Sequence, residues 1–210
     1  INTIRRFMLK RVCAEFFGTA IMVFLGCYSI KIGFSNFWIS STFGFAVFIA
    51  ILLFRNTSGA HINPAVSIAF YRTNHLEKKA LIPYILAQIL GGISAAMLVG
   101  KYGSTTFNIV LGYGIIIEIF ITFLLMSSIY FIISKSDNTS VVSIWVGSVV
   151  GLLALIFGKF TGASMNPART FGPNVISSEV TSIPTFFIST ILGALLAAEL
   201  YNYLKNSLKN

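Results

Sequence analysis

The chain has 210 residues, of which 56% are hydrophobic and only 10% are charged, and its mean hydropathy is +0.84. A soluble domain carries about 25% charged residues, so this composition excludes a soluble protein and indicates a polytopic membrane protein with nothing left over for a soluble domain. The net charge of +9 is spread between the apolar stretches, which indicates membrane topology rather than binding to nucleic acid.

Six apolar stretches are long enough, or nearly so, to cross a hydrocarbon core of about 30 Å. They lie near residues 11–31, 37–54, 80–99, 109–133, 139–158 and 183–204. Two shorter apolar stretches, 62–70 and 165–176, each span roughly half a membrane at about 1.5 Å per residue. No small-residue cleavage site follows the basic start, so we expect an uncleaved first span. Cys13 and Cys27 lie too far apart on one helix to form a disulfide, and we expect both to be small core residues.

The basic residues divide unevenly between the two sides of the predicted membrane. If the N-terminus is cytoplasmic, eleven of them lie inside: Arg5, Arg6, Lys10, Arg11, Arg55, Arg72, Lys78, Lys79, Lys135, Lys205 and Lys209. Four lie outside: Lys31, Lys101, Lys159 and Arg169. This distribution satisfies the positive-inside rule for an even number of spans. We therefore expect an integral multi-pass protein of the cell membrane with both termini in the cytoplasm.

The two halves of the chain repeat with a spacing of 103 residues. Glu15 corresponds to Glu118, and Asn63 corresponds to Asn166 in the same register. Because each repeat holds three spans, the second copy must be inserted upside down, which makes an inverted repeat about an axis in the membrane plane. The predicted single transmembrane domain covers residues 1–210, with its repeats near 11–100 and 109–205.

Each repeat contains an Asn-Pro-Ala motif made of the residues Asn63, Pro64, Ala65 and Asn166, Pro167, Ala168. Asparagine is a preferred N-cap, and proline fits the first helical position because no amide hydrogen is required there. Each motif therefore predicts a half-helix that starts in mid-membrane, and the inversion points both positive dipole ends at the bilayer centre.

The backbone before each motif should be non-helical, which a membrane tolerates only where that backbone is buried or lines water. Its carbonyl groups would then form a file of acceptors, with the two asparagines as central donors, in a pore for neutral solutes. The residues that would supply these carbonyls are Gly59, Ala60, His61, Ile62, Gly162, Ala163, Ser164 and Met165.

The chain resembles the major intrinsic protein family, the aquaporins and aquaglyceroporins, over essentially its whole length. The segments that carry the resemblance are "AEFFGT" (14–19), "SGAHINPAV" (58–66) and "GASMNPARTFGP" (162–173). The resemblance implies the all-α aquaporin fold, with six transmembrane helices and two re-entrant half-helices. It also implies a homotetramer in the lipid bilayer, with one pore per subunit that passes water or small uncharged solutes and excludes protons and ions. We predict no enzyme activity, no cofactor, no metal site and no nucleic-acid partner.

The same resemblance implies a selectivity filter formed by Phe43, Ala154, Ala163 and Arg169. A charge at membrane depth indicates a functional site, and the guanidinium of Arg169 can donate to passing oxygens while its charge repels cations. Water-selective members carry histidine where this chain has Ala154, which favours a wider pore that also accepts glycerol, urea, ammonia or metalloid acids. Glycerol channels carry aspartate after the arginine, however, and here Thr170 follows it, so the solute range stays open.

Two other classes of protein are alternatives. A proton-coupled secondary transporter of a small solute could use Glu15 and Glu118 as a relay, since inverted repeats also occur in transporters. The resemblance instead implies that these carboxylates accept hydrogen bonds from the pore loops, and their symmetric placement favours that role. An intramembrane enzyme could use Ser164 with His61, but a Gly-x-Ser fragment is a weak motif. We expect His61 to line the pore.

Overall fold

The computed structural model describes the backbone of residues 2–207 and the side chains of residues 6–207. Lys209 and the side chain of Arg5, both assigned above to the cytoplasmic side, lie outside these described residues. The described part of the chain is all-helical, with one 3-10 turn at Val180–Ser182. Its α-helices are α1 (Asn2–Lys31), α2 (Asn36–Ser58), α3 (Pro64–Arg72), α4 (Lys78–Val99), α5 (Leu111–Lys135), α6 (Thr139–Thr161), α7 (Pro167–Ser177) and α8 (Ile183–Ser207).

Six of these helices are long and apolar enough to cross a membrane, and they coincide with the six predicted spans. Several extend beyond the predicted ends, because hydropathy detects only the apolar part of a helix. α2 and α6 continue to the residue before a glycine in the left-handed conformation, Gly59 (φ 92°) and Gly162 (φ 74°). Such a glycine ends a helix at no steric cost, so backbone geometry rather than hydropathy sets these two boundaries.

Successive long helices run in opposite directions, so α1 begins and α8 ends on the same face of the bundle. We refer to this face as the inner face and to the opposite one as the outer face. Ion pairs join helix ends at the inner face, between Arg11 and Glu77 at 2.8 Å and between Arg72 and Glu199 at 2.7 Å. The two short helices begin inside the bundle, and α3 ends toward the inner face while α7 ends toward the outer face.

Neighbouring helices approach most closely where glycine leaves room for a backbone contact. A Cβ atom on Gly44 would lie 2.5 Å from the carbonyl oxygen of Gly147, and one on Gly147 would lie 2.6 Å from that of Gly44. A Cβ on Gly92 in α4 would lie 2.6 Å from the carbonyl oxygen of Ala168 in α7. Lipid provides no hydrophobic drive for helix association, so small residues that permit tight packing stabilise the bundle.

Replacing Gly172 by alanine should destabilise the protein by about 1–3 kcal/mol, the usual cost of overpacking. The new methyl group would overlap the backbone of Gly92, which cannot move away without a shift of α4. Gly112→Ala on α5 is the matched control, because no atom lies within 4 Å of its Cβ position. Thermal unfolding in detergent should show a lower midpoint for Gly172→Ala alone, and equal midpoints for the two variants would contradict this account.

The structure corrects the prediction for one of the two cysteines. Cys27 is buried, as expected, but Cys13 is exposed on the outside of α1. Cys13 precedes the buried Glu15 by two residues, which places it about 200° around the helix from that side chain. A small apolar residue suits a lipid-facing surface as well as a core, so residue type alone did not determine its place.

Candidate functional site

The half-helices α3 and α7 begin beside each other in the middle of the bundle. Each has an asparagine N-cap with extended backbone, Asn63 at φ −158° and ψ 120° and Asn166 at φ −155° and ψ 112°. The Oδ1 atom of Asn63 accepts the backbone N–H of Ala65 at 2.9 Å, and that of Asn166 accepts the N–H of Ala168 at 2.9 Å. The positive ends of two helix dipoles therefore face the same central region.

The amide groups of the two asparagines join the two loops to each other. Asn63 Nδ2 donates to the carbonyl oxygen of Met165 at 2.8 Å, and Asn166 Nδ2 donates to that of Ile62 at 2.9 Å. A carboxamide nitrogen carries two hydrogens, so each asparagine has a second donor. Both asparagines line the central cavity; the second donor of Asn63 has no other partner among the described residues, and that of Asn166 has only the weak acceptor Met22 Sδ, at 3.8 Å.

The segments that precede the half-helices have a strained backbone that the sequence did not predict. Ala60 (φ 48°) and Ile62 (φ 46°) are left-handed, and so are Ala163 (φ 44°) and Met165 (φ 52°) at the equivalent positions of the second repeat. Each such non-glycine residue costs on the order of 1–3 kcal/mol and persists only where its surroundings impose it. The two loops thus share one unusual conformation, and both require external support.

Glu15 supplies that support for the first loop. Its Oε1 atom accepts from Ser58 Oγ at 2.6 Å and from the N–H of His61 at 2.9 Å. Its Oε2 atom accepts from the N–H of Ile62 at 2.7 Å and from Gln88 Nε2 at 2.8 Å. Every partner is a donor, so both oxygens of the carboxylate are occupied by groups of the first loop and of the helices beside it.

Glu118 makes the corresponding contacts with the second loop. It accepts from the hydroxyl of Thr161, from the N–H of Ser164 at 2.9 Å and from the N–H of Met165 at 3.0 Å. Among the described residues, Glu118 has no side-chain donor that corresponds to the Gln88 bond of Glu15. Neither glutamate is among the described residues that line the central cavity.

The central cavity has a volume of about 90 Å³ and extends along both loops, from Phe43 toward the outer face to Arg55 toward the inner face. Since about 10–15 Å³ is enough to admit one water molecule, the cavity has room for several. Residues 59–62 and 162–165 form part of its wall, and the side chains that face them are mostly aliphatic. Of the two motifs, only the asparagines line the cavity, whereas four predicted pore residues are buried behind it: Pro64, Ala65, Pro167 and Ala168.

The four predicted filter residues, Phe43, Ala154, Ala163 and Arg169, all line this cavity. The guanidinium carbon of Arg169 lies 4.6 Å from the centroid of the Phe43 ring. Arg169 Nη1 donates to the carbonyl oxygen of Gly103, and none of the ion pairs within residues 6–207 includes Arg169. Its positive charge is therefore held by neutral acceptors at the cavity wall.

Sequence reasoning missed the residues that position this filter. A Cβ on Gly26 would overlap the ring of Phe43, and one on Gly103 (φ 86°) would overlap the Cys27 side chain. Gly103 belongs to the α4–α5 loop, which is attached to α7 by paired bonds: Thr105 N donates to Asn174 Oδ1 at 2.8 Å, and Asn174 Nδ2 donates to Thr105 O at 2.9 Å. In the sequence only the two glycines could have indicated these close contacts, because every residue type has a backbone carbonyl and a backbone acceptor therefore cannot be recognised from residue type.

Two titratable groups at the inner face lie outside the spans and away from the cavity. Hydrogen bonds from Lys79 and then Arg11 hold the pKa of Glu77 below its usual value. Burial lowers the pKa of His75, and the charge of Lys205 lowers it further. Neither group lines the cavity, so both belong to the inner surface of the bundle.

Comparisons with known proteins agree with this architecture. A family model described as "Major intrinsic protein" matches residues 3–201. Aquaporin-4 of Mus musculus is 36% identical over 215 residues, which cover 92% of this chain and 67% of that protein. Aquaporin NIP1-1 of Zea mays is 33% identical over 216 residues, which cover 94% of this chain and 75% of that protein. The X-ray structure of the aquaglyceroporin from Plasmodium falciparum has a TM-score of 0.88 at 24% identity, covers 96% of this chain and 98% of that one, and shares its fold.

Proposed function

The chain belongs to the major intrinsic protein family of membrane channels, and on that premise we propose that it is a passive channel for water and small uncharged solutes. The observation that carries the proposal is the pair of asparagine donors, Asn63 and Asn166, within a cavity lined by the backbone of both loops. A neutral solute exchanges hydrogen bonds with these groups and so needs no hydration shell. A cation meets two positive helix ends and the charge of Arg169, which act as electrostatic barriers.

We propose that this channel also passes small uncharged solutes other than water. The filter has alanine at two positions, Ala154 and Ala163, and both line the cavity. Small side chains opposite Phe43 and Arg169 leave space for a three-carbon polyol or an amide. Glycerol, urea, ammonia and metalloid acids are therefore the candidate solutes.

A proton-coupled transporter that used Glu15 and Glu118 as its relay would need these carboxylates in the path of its solute, and neither lines the cavity. Glu15 and Glu118 are both occupied by donors from the loop segments, and His61 contacts Ser67 Oγ through Nδ1 at 3.0 Å. These contacts support passive flux rather than coupling.

We also propose a homotetramer in the cell membrane with both termini in the cytoplasm, so that the inner face is the cytoplasmic face. The family supplies the tetramer as an expectation. The orientation is supported by the nine basic residues on the inner side, against four on the outer side, among the side chains that the structure describes, as the positive-inside rule requires.

Reconstituted vesicles should show water permeability at least about tenfold above that of vesicles containing Ala154→Trp, since a barrier of only ~1.4 kcal/mol already gives this factor. The indole would fill the filter between Phe43 and Arg169. Stopped-flow light scattering after an osmotic step measures the difference, and equal protein incorporation is checked in both samples. If wild type and Ala154→Trp shrink at the same rate, the chain is not a water channel.

A further inference from the structure

Arg55 lies on the face of α2 that lines the central cavity. Phe43, Val47, Ile51 and Arg55 follow one another at intervals of four residues, and all four line the cavity. Residues four apart share one helix face, and the stripe from Phe43 to Arg55 covers about 18 Å at 1.5 Å per residue. One helix face therefore carries a filter aromatic toward the outer face and a guanidinium at the inner end.

Apolar side chains form most of the cavity wall around Arg55, and the ring of His61, centred 4.7 Å from that of Phe70, is a polar exception. The neighbouring lining residues at this end come from α3, α5 and α6: Phe70, Ile129, Ile133 and Val142. Among the described residues that line the cavity, Arg55 and Arg169 are the only ones of the types Lys, Arg, Asp and Glu. An ionisable side chain that faces a cavity inside a membrane protein marks the path of a solute or an ion.

Neutral groups hold the guanidinium of Arg55 in place. Its Nη1 atom donates to the carbonyl oxygen of Asp137 at 2.7 Å and to Thr139 Oγ1 at 3.2 Å. Thr139 Oγ1 in turn donates to Asn56 Oδ1 at 3.1 Å, so the α5–α6 loop is tied to the end of α2. No ion pair within the described residues includes Arg55, and Arg55 lines the inner end of the cavity.

We propose that Arg55 is a second selectivity residue, a barrier to cations at the inner end of the pore. This inference rests on the proposed channel function. The helix face that separates Arg55 from Phe43, the ring 4.6 Å from the Arg169 guanidinium carbon, covers about 18 Å, so a cation meets the two charges at different points of its path. A neutral solute with oxygen acceptors passes both, because each guanidinium offers donors to it.

The two arginines do not derive from the inverted repeat. The position equivalent to Arg55, 103 residues later, is Gly158, and the position equivalent to Arg169 in the first repeat is Val66. Each repeat thus contributes one arginine from a different place, and together they put a positive charge at each end of an otherwise uncharged cavity.

Cysteine substitution tests whether residue 55 faces the pore. Vesicles with Arg55→Cys are treated on both sides with sulfonatoethyl or trimethylammonioethyl methanethiosulfonate, and water permeability is measured before and after. Both adducts should lower it at least about threefold, a factor that needs under 1 kcal/mol of added barrier. Thr57→Cys, two residues further along and exposed, is the matched control because Thr57 does not line the cavity, and wild type measures any effect at Cys13 and Cys27.

A leak assay tests the charge itself. Arg169→Val is used as the parent, so that the outer barrier is absent, and proton and potassium conductance are normalised to water permeability. Adding Arg55→Gln should raise this ratio about fivefold, the factor expected from one unit charge at ~4 Å in water. Adding Arg55→Lys should leave the ratio at the value of the parent, because the charge is kept. Adding Lys135→Gln should also leave it unchanged, because Lys135 is exposed and does not line the cavity.

Two results would overturn the assignment of Arg55. One is an Arg55→Cys variant that the reagents affect no more than Thr57→Cys. The other is an Arg55→Gln leak no larger than that of Lys135→Gln in the same parent. A wild type that passes no water would instead overturn the channel proposal, so the two failures are distinct. Retained water permeability in each variant shows that it is folded.

Discussion

Replacing Glu15 by alanine should leave almost no folded protein, and replacing Glu118 by alanine should have a smaller but still severe effect. Glu15 accepts four hydrogen bonds and Glu118 accepts three, all from buried loop or helix groups. An unsatisfied buried donor costs about 1–3 kcal/mol, so either loss is comparable to a total stability of about 5–15 kcal/mol. Fluorescence-detected size exclusion and thermal unfolding in detergent measure both effects.

Two further variants separate this effect from a general sensitivity to losing a carboxylate. Glu15→Gln keeps one acceptor oxygen and should be intermediate between wild type and Glu15→Ala. Glu199→Ala removes an exposed partner of Arg72 and should change stability by at most about 1 kcal/mol. If the Glu15→Ala protein is monodisperse and has the same melting temperature as Glu199→Ala, this carboxylate does not hold the strained loop.

Replacing Ala154 by histidine should reduce glycerol permeability at least about tenfold, equivalent to ~1.4 kcal/mol of added barrier, while water permeability falls far less. Ala154 lines the cavity together with Arg169 and Phe43, so an imidazole there narrows the passage. Water fits through a gap that a three-carbon polyol does not. Parallel stopped-flow measurements with water and glycerol gradients give both permeabilities.

Size and polarity are separated by a smaller substitution at the same position. Ala154→Ser adds a polar group with little volume and should keep most of the glycerol flux. The wide-filter interpretation fails if Ala154→His passes glycerol as fast as wild type, or if wild type passes none. Water flux in the same vesicles reports whether each variant is folded and incorporated.

The fold was predictable because its signals are local. Long apolar stretches predicted the six spans, and Asn-Pro predicted the start of each short helix, which the structure places at Pro64 and Pro167. Cap chemistry and hydropathy act over a few residues, so they do not depend on the rest of the chain. The strained backbone at Ile62 and Met165 was not predictable, since neither residue type favours a left-handed conformation and distant carboxylates impose it.

Two roles at the cavity could not be predicted from the sequence. The interpretation of Arg55 was misleading, and nothing in the sequence indicated the role of Gly103. Arg55 was interpreted as a topological charge because the second span was predicted to end at residue 54, whereas α2 continues to Ser58 and carries Arg55 along the cavity-lining face. Gly103 binds Arg169 through a carbonyl oxygen, a group that every residue possesses. Long-range placement, rather than residue type, defines both roles.

The bonds exchanged between Asn63 and Met165 and between Asn166 and Ile62 also constrain how the protein is made. At about 5–20 residues per second, the ribosome needs on the order of 5–20 s to add the 103 residues that separate the two asparagines. During that interval the first loop has no partner for its central amide and carbonyl. Maturation of the pore is therefore a late event that follows insertion of the second repeat, and a chain truncated after α4 should be recognised by quality-control proteases.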